Sequence, residues 1–377
     1  MTPMLFVTGM PRGGTTLIEK LLSQHGEISL LSQPFPLLFV EAKRAFLSTR
    51  GREDEPYPLG DLFLEHDYTT EDFSRHLRSR TISREIVHRT LDDMSGYSGQ
   101  YTKFDATAID EALAQLPPGA LLDILAVLWN QLAQDRTARY TGAKEIGCEE
   151  FLPDLLHRGT RCVLIVRDPR DVLASLNHGR GPQFAGTPKP TLFNVRQWRK
   201  SVAFMIHLRH HPNFAWLRYE DLVASPESCL NRLADWLHVE PFPHGAFTMG
   251  VRDHEGQLWP GNSSHASDRQ LDSGSVGSHV SVLEPEIATF AEAACFPEMR
   301  YLGYPISLSW RDVPQVLSEF ADPNAERRDN LRSKFTDRQR LVEELERVRI
   351  LSHSTHDSDR YFIFSDVGEA LKAALRP

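Results

Sequence analysis

Met4-Leu5-Phe6-Val7-Thr8-Gly9-Met10-Pro11-Arg12-Gly13-Gly14-Thr15-Thr16 is the stretch that decides the fold of this chain. Met4–Thr8 is short, apolar and unbroken, the pattern of a buried strand. Leu17, Ile18, Leu21 and Leu22 then recur at helical spacing, which predicts a helix that stops near His25-Gly26. Glycines, one arginine and paired threonines lie between the two. Glycines let the backbone curl until successive N–H groups face one anion, and the helix N-terminus adds partial positive charge. Thr15 and Thr16 supply hydroxyl donors beside Gly13 and Gly14, so the loop is expected to hold a phosphate-like group.

Position 15 separates two chemistries. A Walker loop places lysine there, to reach the outer phosphates of a triphosphate beside a metal ion. This chain has Thr15, and the positive charge sits inside the loop on Arg12. The apolar strand Cys162–Val166 ends in Arg167 rather than in a metal-binding acid. A loop with arginine, without lysine and without a metal acid suits a smaller anion such as a 5′-phosphosulfate. A small-molecule kinase with a P-loop, a nucleotide-binding module without catalysis and a plain glycine turn remain the alternatives.

The rest of the chain alternates strands with helices, which implies an α/β fold with a parallel sheet. Cys162–Val166 reads as a strand covered on both faces. Asp168-Pro169 and Ser225-Pro226 each combine a capping residue with proline at the first helical position. Phe214–Tyr219 reads as another strand, Ala120–Ala133 as a helix buried on several sides, and Pro36–Leu47 as a further helix. Residues 51–80 look like an exposed excursion, with short helices as an option within it. Gly256–Ser281 is rich in glycine and serine and reads as a long functional loop, with sheet-type order returning nearby. Ala325–Leu351 has the spacing of an amphipathic helix.

The whole chain has 377 residues, 41% hydrophobic and 25% charged, which fits a globular enzyme of one large domain with additions, or of two. A net charge of −9 argues against broad binding to nucleic acid or acidic membranes. No apolar run approaches the roughly 20 residues of a membrane span, and no signal-peptide pattern precedes Met4–Thr8. Cys148, Cys162, Cys229 and Cys295 lie far apart and form no CxxC pair, so buried thiols in a cytoplasmic, reducing compartment are expected. In that compartment the sequon Asn262-Ser263-Ser264 has no meaning.

Pro11-Arg12-Gly13-Gly14-Thr15-Thr16, followed by Leu17 and then His25, resembles the 5′-phosphosulfate loop of sulfotransferases. Val166-Arg167-Asp168-Pro169-Arg170-Asp171-Val172-Leu173-Ala174-Ser175 resembles the family's 3′-phosphate segment. Weaker matches are Arg218-Tyr219-Glu220-Asp221-Leu222, Tyr140-Thr141-Gly142-Ala143-Lys144, and the region from Gly261 through Ser275-Val276-Gly277 to Leu302-Gly303-Tyr304. The resemblance implies a P-loop-like parallel sheet flanked by helices and the donor 3′-phosphoadenosine 5′-phosphosulfate, without a metal. It implies that Arg12, Gly13, Gly14, Thr15 and Thr16 hold the 5′ end, that Arg167 and Ser175 hold the 3′-phosphate, and that the Gly277 loop closes over the nucleotide. Lys144 is the implied partner of the bridging oxygen. Relatives carry a basic residue just after that glycine, whereas Ser278 and His279 follow Gly277, which shifts the 3′-phosphate toward Arg167. The resemblance spans roughly residues 4–305, so 1–305 are expected to form the sulfotransferase domain and 306–377 a mainly helical C-terminal extension.

Transfer to a hydroxyl calls for a general base. Ser32 and Gln33 stand where some relatives have glutamate, and glutamine cannot accept the proton. Glu41 is the candidate base, with Glu145 and His66 as other carriers of that role. His207 and His211 share one helical face, but no acidic third ligand accompanies them, so no metal site is expected. Phe35, Phe39, Phe63, Tyr68, Phe193, Trp198 and Trp259 are candidates to line an acceptor cleft, with core packing as the alternative for each. The expected acceptor is a hydroxyl on a small molecule, lipid or glycan, and the C-terminal helix is a candidate surface for homo-oligomerisation.

Overall fold

The computed structural model describes residues 3–51, 68–95, 106–114, 119–133, 135, 137–178, 189–246, 250–252, 256–259, 273–324, 338–353 and 359–376. Strand β1 (Met4–Thr8) is the centre of a five-stranded sheet. The other strands are β2 (Ile28–Ser32), β3 (Tyr140–Lys144), β4 (Arg161–Val166) and β5 (Phe214–Arg218). Their order is β2-β3-β1-β4-β5, and every pairing is parallel. The α/β architecture expected from the sequence is therefore present, a P-loop-like parallel sheet flanked by helices.

This order positions the site. The connection leaving β1 runs to one side of the sheet, toward β2, while the connection leaving β4 runs to the other, toward β5. Neighbouring strands whose connections diverge leave a crevice at their carboxyl ends, where ligands of open α/β sheets bind. The Gly9–Thr16 loop follows β1 and Arg167 follows β4, so both lie at that crevice.

Side chains of β1 alternate between two cores. Phe6 faces a cluster with Leu31, Phe39, Trp129, Leu164 and Trp198, and its ring lies 5.6 Å from the Trp129 ring and 6.0 Å from the Phe39 ring. Leu5 and Val7 face Ile18, Leu21, Val163, Ile165 and Leu230 on the other side. Both faces are covered by helices, which is why the strands read as continuous apolar runs. The helices Leu121–Leu132, Pro169–His178 and Pro226–Leu237 sit where the caps and apolar stripes predict.

Several sequence expectations need correction. The first helix, Thr15–Leu22, ends before His25-Gly26, because Gln24 and His25 turn back with N–H bonds to Leu21 and Leu22. Strand β5 ends at Arg218, and Tyr219 already starts the helix Tyr219–Ala224. Among the described residues, no strand follows Ser281. The chain enters Pro285–Ala294 and Phe296–Leu302, since proline near each start fixes a helical φ that overrides the loop-like composition before it. Within the expected excursion, Thr70–Ser79 is a short helix with a Thr69–Asp72 capping box, as the sequence allows, but it is not fully exposed, since it buries Phe73. Of Ala325–Leu351, the described part is the helix Arg338–Ser352. Asn262-Ser263-Ser264, Gly261, Phe63 and His66 fall outside the described residues.

The C-terminal helices share the main core. Val313, Leu317, Ile350, Leu351, Phe362 and Leu371 belong to the same buried cluster as Phe6. Glu344 pairs with Arg196 and Arg199 of the helix Thr191–Leu208, and Arg347 pairs with Glu298. No helix among the described residues is long and apolar enough to cross a membrane.

Candidate functional site

The loop after β1 is shaped by close approach to β4. Gly9 has φ +154°, and a Cβ there would lie 2.5 Å from the Ile165 carbonyl oxygen. Gly14 has φ +100°, and its Cβ would lie 2.5 Å from Tyr219 Cδ2. Neither position accepts a side chain without moving its neighbour. The Gly13 N–H donates to the Met10 carbonyl at 3.0 Å and closes the turn. Thr15 and Thr16 are buried at the helix start, which carries neither a side-chain cap nor an acidic residue in its first turn. Uncapped N–H groups with no competing carboxylate suit an anion.

Arg12 is left-handed at φ +67°, a conformation unusual for a non-glycine residue. Its Nε donates to Ser175 Oγ at 2.8 Å, so the structure joins two residues that lie far apart in the chain. Arg167 approaches from β4. Its Nη1 donates to the Arg12 carbonyl at 3.3 Å and its Nη2 to the Ser275 carbonyl at 2.5 Å. The guanidinium lies 4.5 Å from the centre of the Tyr219 ring, a cation–π contact. Arg167 Nε is buried and has no hydrogen-bond partner among the described residues. Burial, and then the neighbouring Arg167 charge, lower the Arg12 pKa. A buried guanidinium beside a half-buried one favours an anion that both can meet.

Neighbouring groups fix this pair in place. Trp198 Nε1 donates to the Arg167 carbonyl at 2.7 Å, and Tyr219 shares a hydroxyl bond of 2.7 Å with Ser275. Asp171 gathers the Gly277 loop: it accepts from the Gly277 N–H at 2.8 Å and the His279 N–H at 3.0 Å, and its Oδ1 lies 2.6 Å from His279 Nδ1. Those donors hold the Asp171 pKa low against the opposing effect of burial. Gly277 therefore reaches the site through its loop, with its own N–H committed to Asp171. Arg170, from the same motif, is turned to Asp168 and Glu292 at 2.7 and 2.6 Å. Asp171, Tyr219 and Ser275 were missed as site residues in the sequence. Asp171 and Tyr219 lie inside quoted motifs, but nothing in the spacing shows that they meet the Ser275 loop.

A second polar group assembles at the end of β3. Lys144 pairs in register with Val7, and the following backbone runs beside the loop, with Glu145 N–H on the Val7 carbonyl and Gly147 N–H on the Gly9 carbonyl, both at 3.0 Å. Lys144 Nζ donates to Gln33 Oε1 at 2.9 Å. The Phe35 N–H donates to Glu145 Oε1 at 2.8 Å, while Glu145 Oε2 is buried without a partner among the described residues. Burial pushes the Lys144 ammonium down to about 8 and the Glu145 carboxyl up to about 8. The two groups interact, so these values describe the pair.

Glu41, the candidate base, stands apart from this assembly. Its carboxylate pairs with Arg80 at 3.4 Å, just past the helix Thr70–Ser79. No described hydrogen bond joins Glu41 to Arg12, Lys144 or Arg167. Phe35, Phe39, Tyr68, Phe193 and Trp198 are core residues, so packing explains them better than an acceptor cleft. Trp259 packs half-buried against the opposite core. His207 stacks on Phe364 at 3.8 Å and lies 2.9 Å from Asp366. Among the described residues no group of three or more His, Cys, Asp or Glu is placed to hold a metal. All four cysteines are buried and unpaired.

A loop–helix anion cradle and a second arginine thus meet at the β1/β4 crevice of a parallel sheet. The chain belongs to the sulfotransferase family: the family's model matches residues 3–244. It is a sulfotransferase. Comparison with curated proteins finds no match. Among solved structures, the chain is similar to a sulfotransferase domain from the curacin biosynthetic pathway, at 19% identity over 81% of this chain and 99% of that one, with a TM-score of 0.42. It is similar to a sulfotransferase domain of the Synechococcus PCC 7002 olefin synthase, at 17% identity over 75% and 89%, with a TM-score of 0.41. A mouse sulfotransferase complexed with PAP matches at 12% identity over 76% and 81%, with a TM-score of 0.37.

Proposed function

We propose that the sulfuryl donor is 3′-phosphoadenosine 5′-phosphosulfate and that the acceptor is a hydroxyl of a small molecule, lipid or glycan. One observation carries the reading: the Arg167 guanidinium is buried beside Arg12, with Nε lacking an acceptor. A buried donor without an acceptor is costly, and a phosphate oxygen would satisfy it. The residues fit a donor with two anionic ends. Arg12, the Gly14 N–H and the hydroxyls of Thr15 and Thr16 would hold the 5′-phosphosulfate, with Gly13 shaping the turn through its own bond to the Met10 carbonyl. Arg167 and Ser175 would hold the 3′-phosphate, under the Gly277 loop that Asp171 fastens.

The bound donor supplies the activated sulfuryl group. The protein's part is positioning and charge. The loop N–H groups and Arg12 would neutralise negative charge that grows on the transferred group and the leaving oxygen. Lys144, on the strand beside the loop, would put its ammonium at the bridging oxygen. Glu145 is better placed than Glu41 to take the acceptor's proton, since it adjoins Lys144 and has a carboxyl oxygen without a partner among the described residues. In the same reading, residues 1–305 form the catalytic domain and 306–377 a helical extension that offers a surface for self-association. Residence in the cytoplasm fits the unpaired thiols.

Thermal unfolding with 3′-phosphoadenosine 5′-phosphate, set against ATP with Mg²⁺, tests the donor. Stabilisation follows mass action for a ligand of the folded state. A Tm rise with the bisphosphate and none with ATP–Mg²⁺ is expected. The reverse pattern would point to a kinase and end the proposal.

A further inference from the structure

Gln33 follows β2 in a left-handed conformation, φ +47°, which a side chain adopts only when its surroundings hold it there. Those surroundings are the end of β3. The Gln33 N–H donates to the Lys144 carbonyl at 2.7 Å, and Gln33 Oε1 accepts from Lys144 Nζ at 2.9 Å. Two residues on, the Phe35 N–H is held by Glu145. The turn Ser32–Phe35 is thus stapled to Lys144 and Glu145, and the strained backbone aims one amide at one ammonium.

We infer that Gln33 is a positioning residue for the transfer: a neutral acceptor that fixes the Lys144 ammonium beside the anion loop without cancelling its charge. The inference rests on the donor reading above, which gives that ammonium an anion to meet. The physical reason lies in the choice of amide. A carboxylate at position 33 would hold the same geometry, but would pair with Lys144 as an ion pair and offset its charge. The charged groups facing Lys144 are Glu19 and Lys20 of the first helix and Glu145 of its own strand end. Of the two carboxyls Glu19 acts on the ammonium more strongly than Glu145; burial raises the Glu145 pKa, so Glu145 compensates the ammonium least at low pH. The amide keeps Lys144 ordered, and the missing charge at 33 leaves the cation for the donor.

The pH dependence separates this role from a structural one. A lysine lowered to about 8 is charged below that pH and loses its proton above it. Calorimetric binding of 3′-phosphoadenosine 5′-phosphate between pH 6.5 and 9.5 should therefore weaken through about pH 8 in the wild type. Gln33→Glu should weaken binding about tenfold at neutral pH and move the inflection up by about a unit or more. The ¹³Cε resonance of Lys144, assigned by its loss in Lys144→Met, should show the same upward shift without any ligand. Binding and Lys144 titration both unchanged in Gln33→Glu would overturn the inference. If the wild type does not bind the bisphosphate although Gln33→Glu moves the Lys144 titration, the donor reading fails while the control of Lys144 by Gln33 stands. Gln33→Leu guards against misfolding in the glutamate variant: it removes the acceptor, and an unmoved Lys144 titration there would also count against the inference.

Discussion

The two ends of the candidate site are built in opposite ways. At the donor end, the anion loop and the Arg167 segment are each one contiguous stretch that follows one strand. At the lysine end, Gln33, Lys144 and Glu145 come from neighbouring strand ends and share no motif, yet they interlock more tightly with one another than with the loop. The donor end carries its geometry in glycine conformations and strand-to-helix turns, which are local. The lysine end gets its geometry from register: β2 and β3 pair so that Ser32 lies opposite Lys144, and the next residue can then reach across. Local geometry tolerates changes elsewhere, whereas register geometry depends on the whole sheet edge.

The largest expected effect breaks the donor end outright. Gly14→Ala would place a methyl 2.5 Å from the Tyr219 ring at φ +100°, and should cost about 2–4 kcal/mol through strain and overpacking. Thermal unfolding should show a clear fall in Tm and no stabilisation by the bisphosphate. A variant as stable as the wild type would mean that the loop is not seated on Tyr219.

Arg167→Ala should follow. Losing a charged hydrogen-bonding partner of phosphate is worth about 1.5–3 kcal/mol, so calorimetry should show binding weaker by between about tenfold and a hundredfold. Unchanged affinity would remove Arg167 from the site. Lys144→Met should weaken bisphosphate binding about tenfold at neutral pH, and should abolish the alkaline loss expected near pH 8. The sign follows from the direction of the shift: a lowered lysine is charged only below its pKa, so its contribution is present at lower pH and disappears as pH rises. An alkaline loss that survives in Lys144→Met would assign the titration elsewhere.

The smallest effect sharpens the comparison. Ser175→Ala removes a neutral hydroxyl that already accepts from Arg12 at 2.8 Å. A loss of about threefold in bisphosphate affinity is expected, near the net value of one hydrogen bond. A loss as large as that of Arg167→Ala would show that Ser175 orders Arg12 rather than adding one contact of its own.

Much of this asymmetry explains what the sequence revealed. Arg12, Gly13, Gly14, Thr15, Thr16, Arg167 and Ser175 lie in two contiguous motifs, so each set is legible in the sequence, while the approach of one motif to the other is not. Glu41 is a candidate base only because a carboxylate is needed somewhere beyond β2, and a helix position alone gives no direction. The fold puts it on Arg80 instead. Phe35, Phe39, Tyr68, Phe193 and Trp198 are core although they are also cleft candidates in the sequence, because chemistry-bearing and core-filling rings look alike in one dimension. The helices after Pro285 were hidden by loop-like composition upstream, and their proline starts outweighed it.

The sequence by itself determined the alternation of strand and helix, the central strand with its anion loop, and the identity of the cations at its mouth. These depend on short-range spacing, on φ preferences and on apolar periodicity, all written within a few residues. The tertiary structure decided the strand order that sets β1 beside β4, the meeting of Arg12 with Ser175, the fastening of the Gly277 loop by Asp171, and the contact of Gln33 with Lys144. Those depend on which strand lies next to which and in what register, and hydrophobic patterning constrains that choice without fixing it.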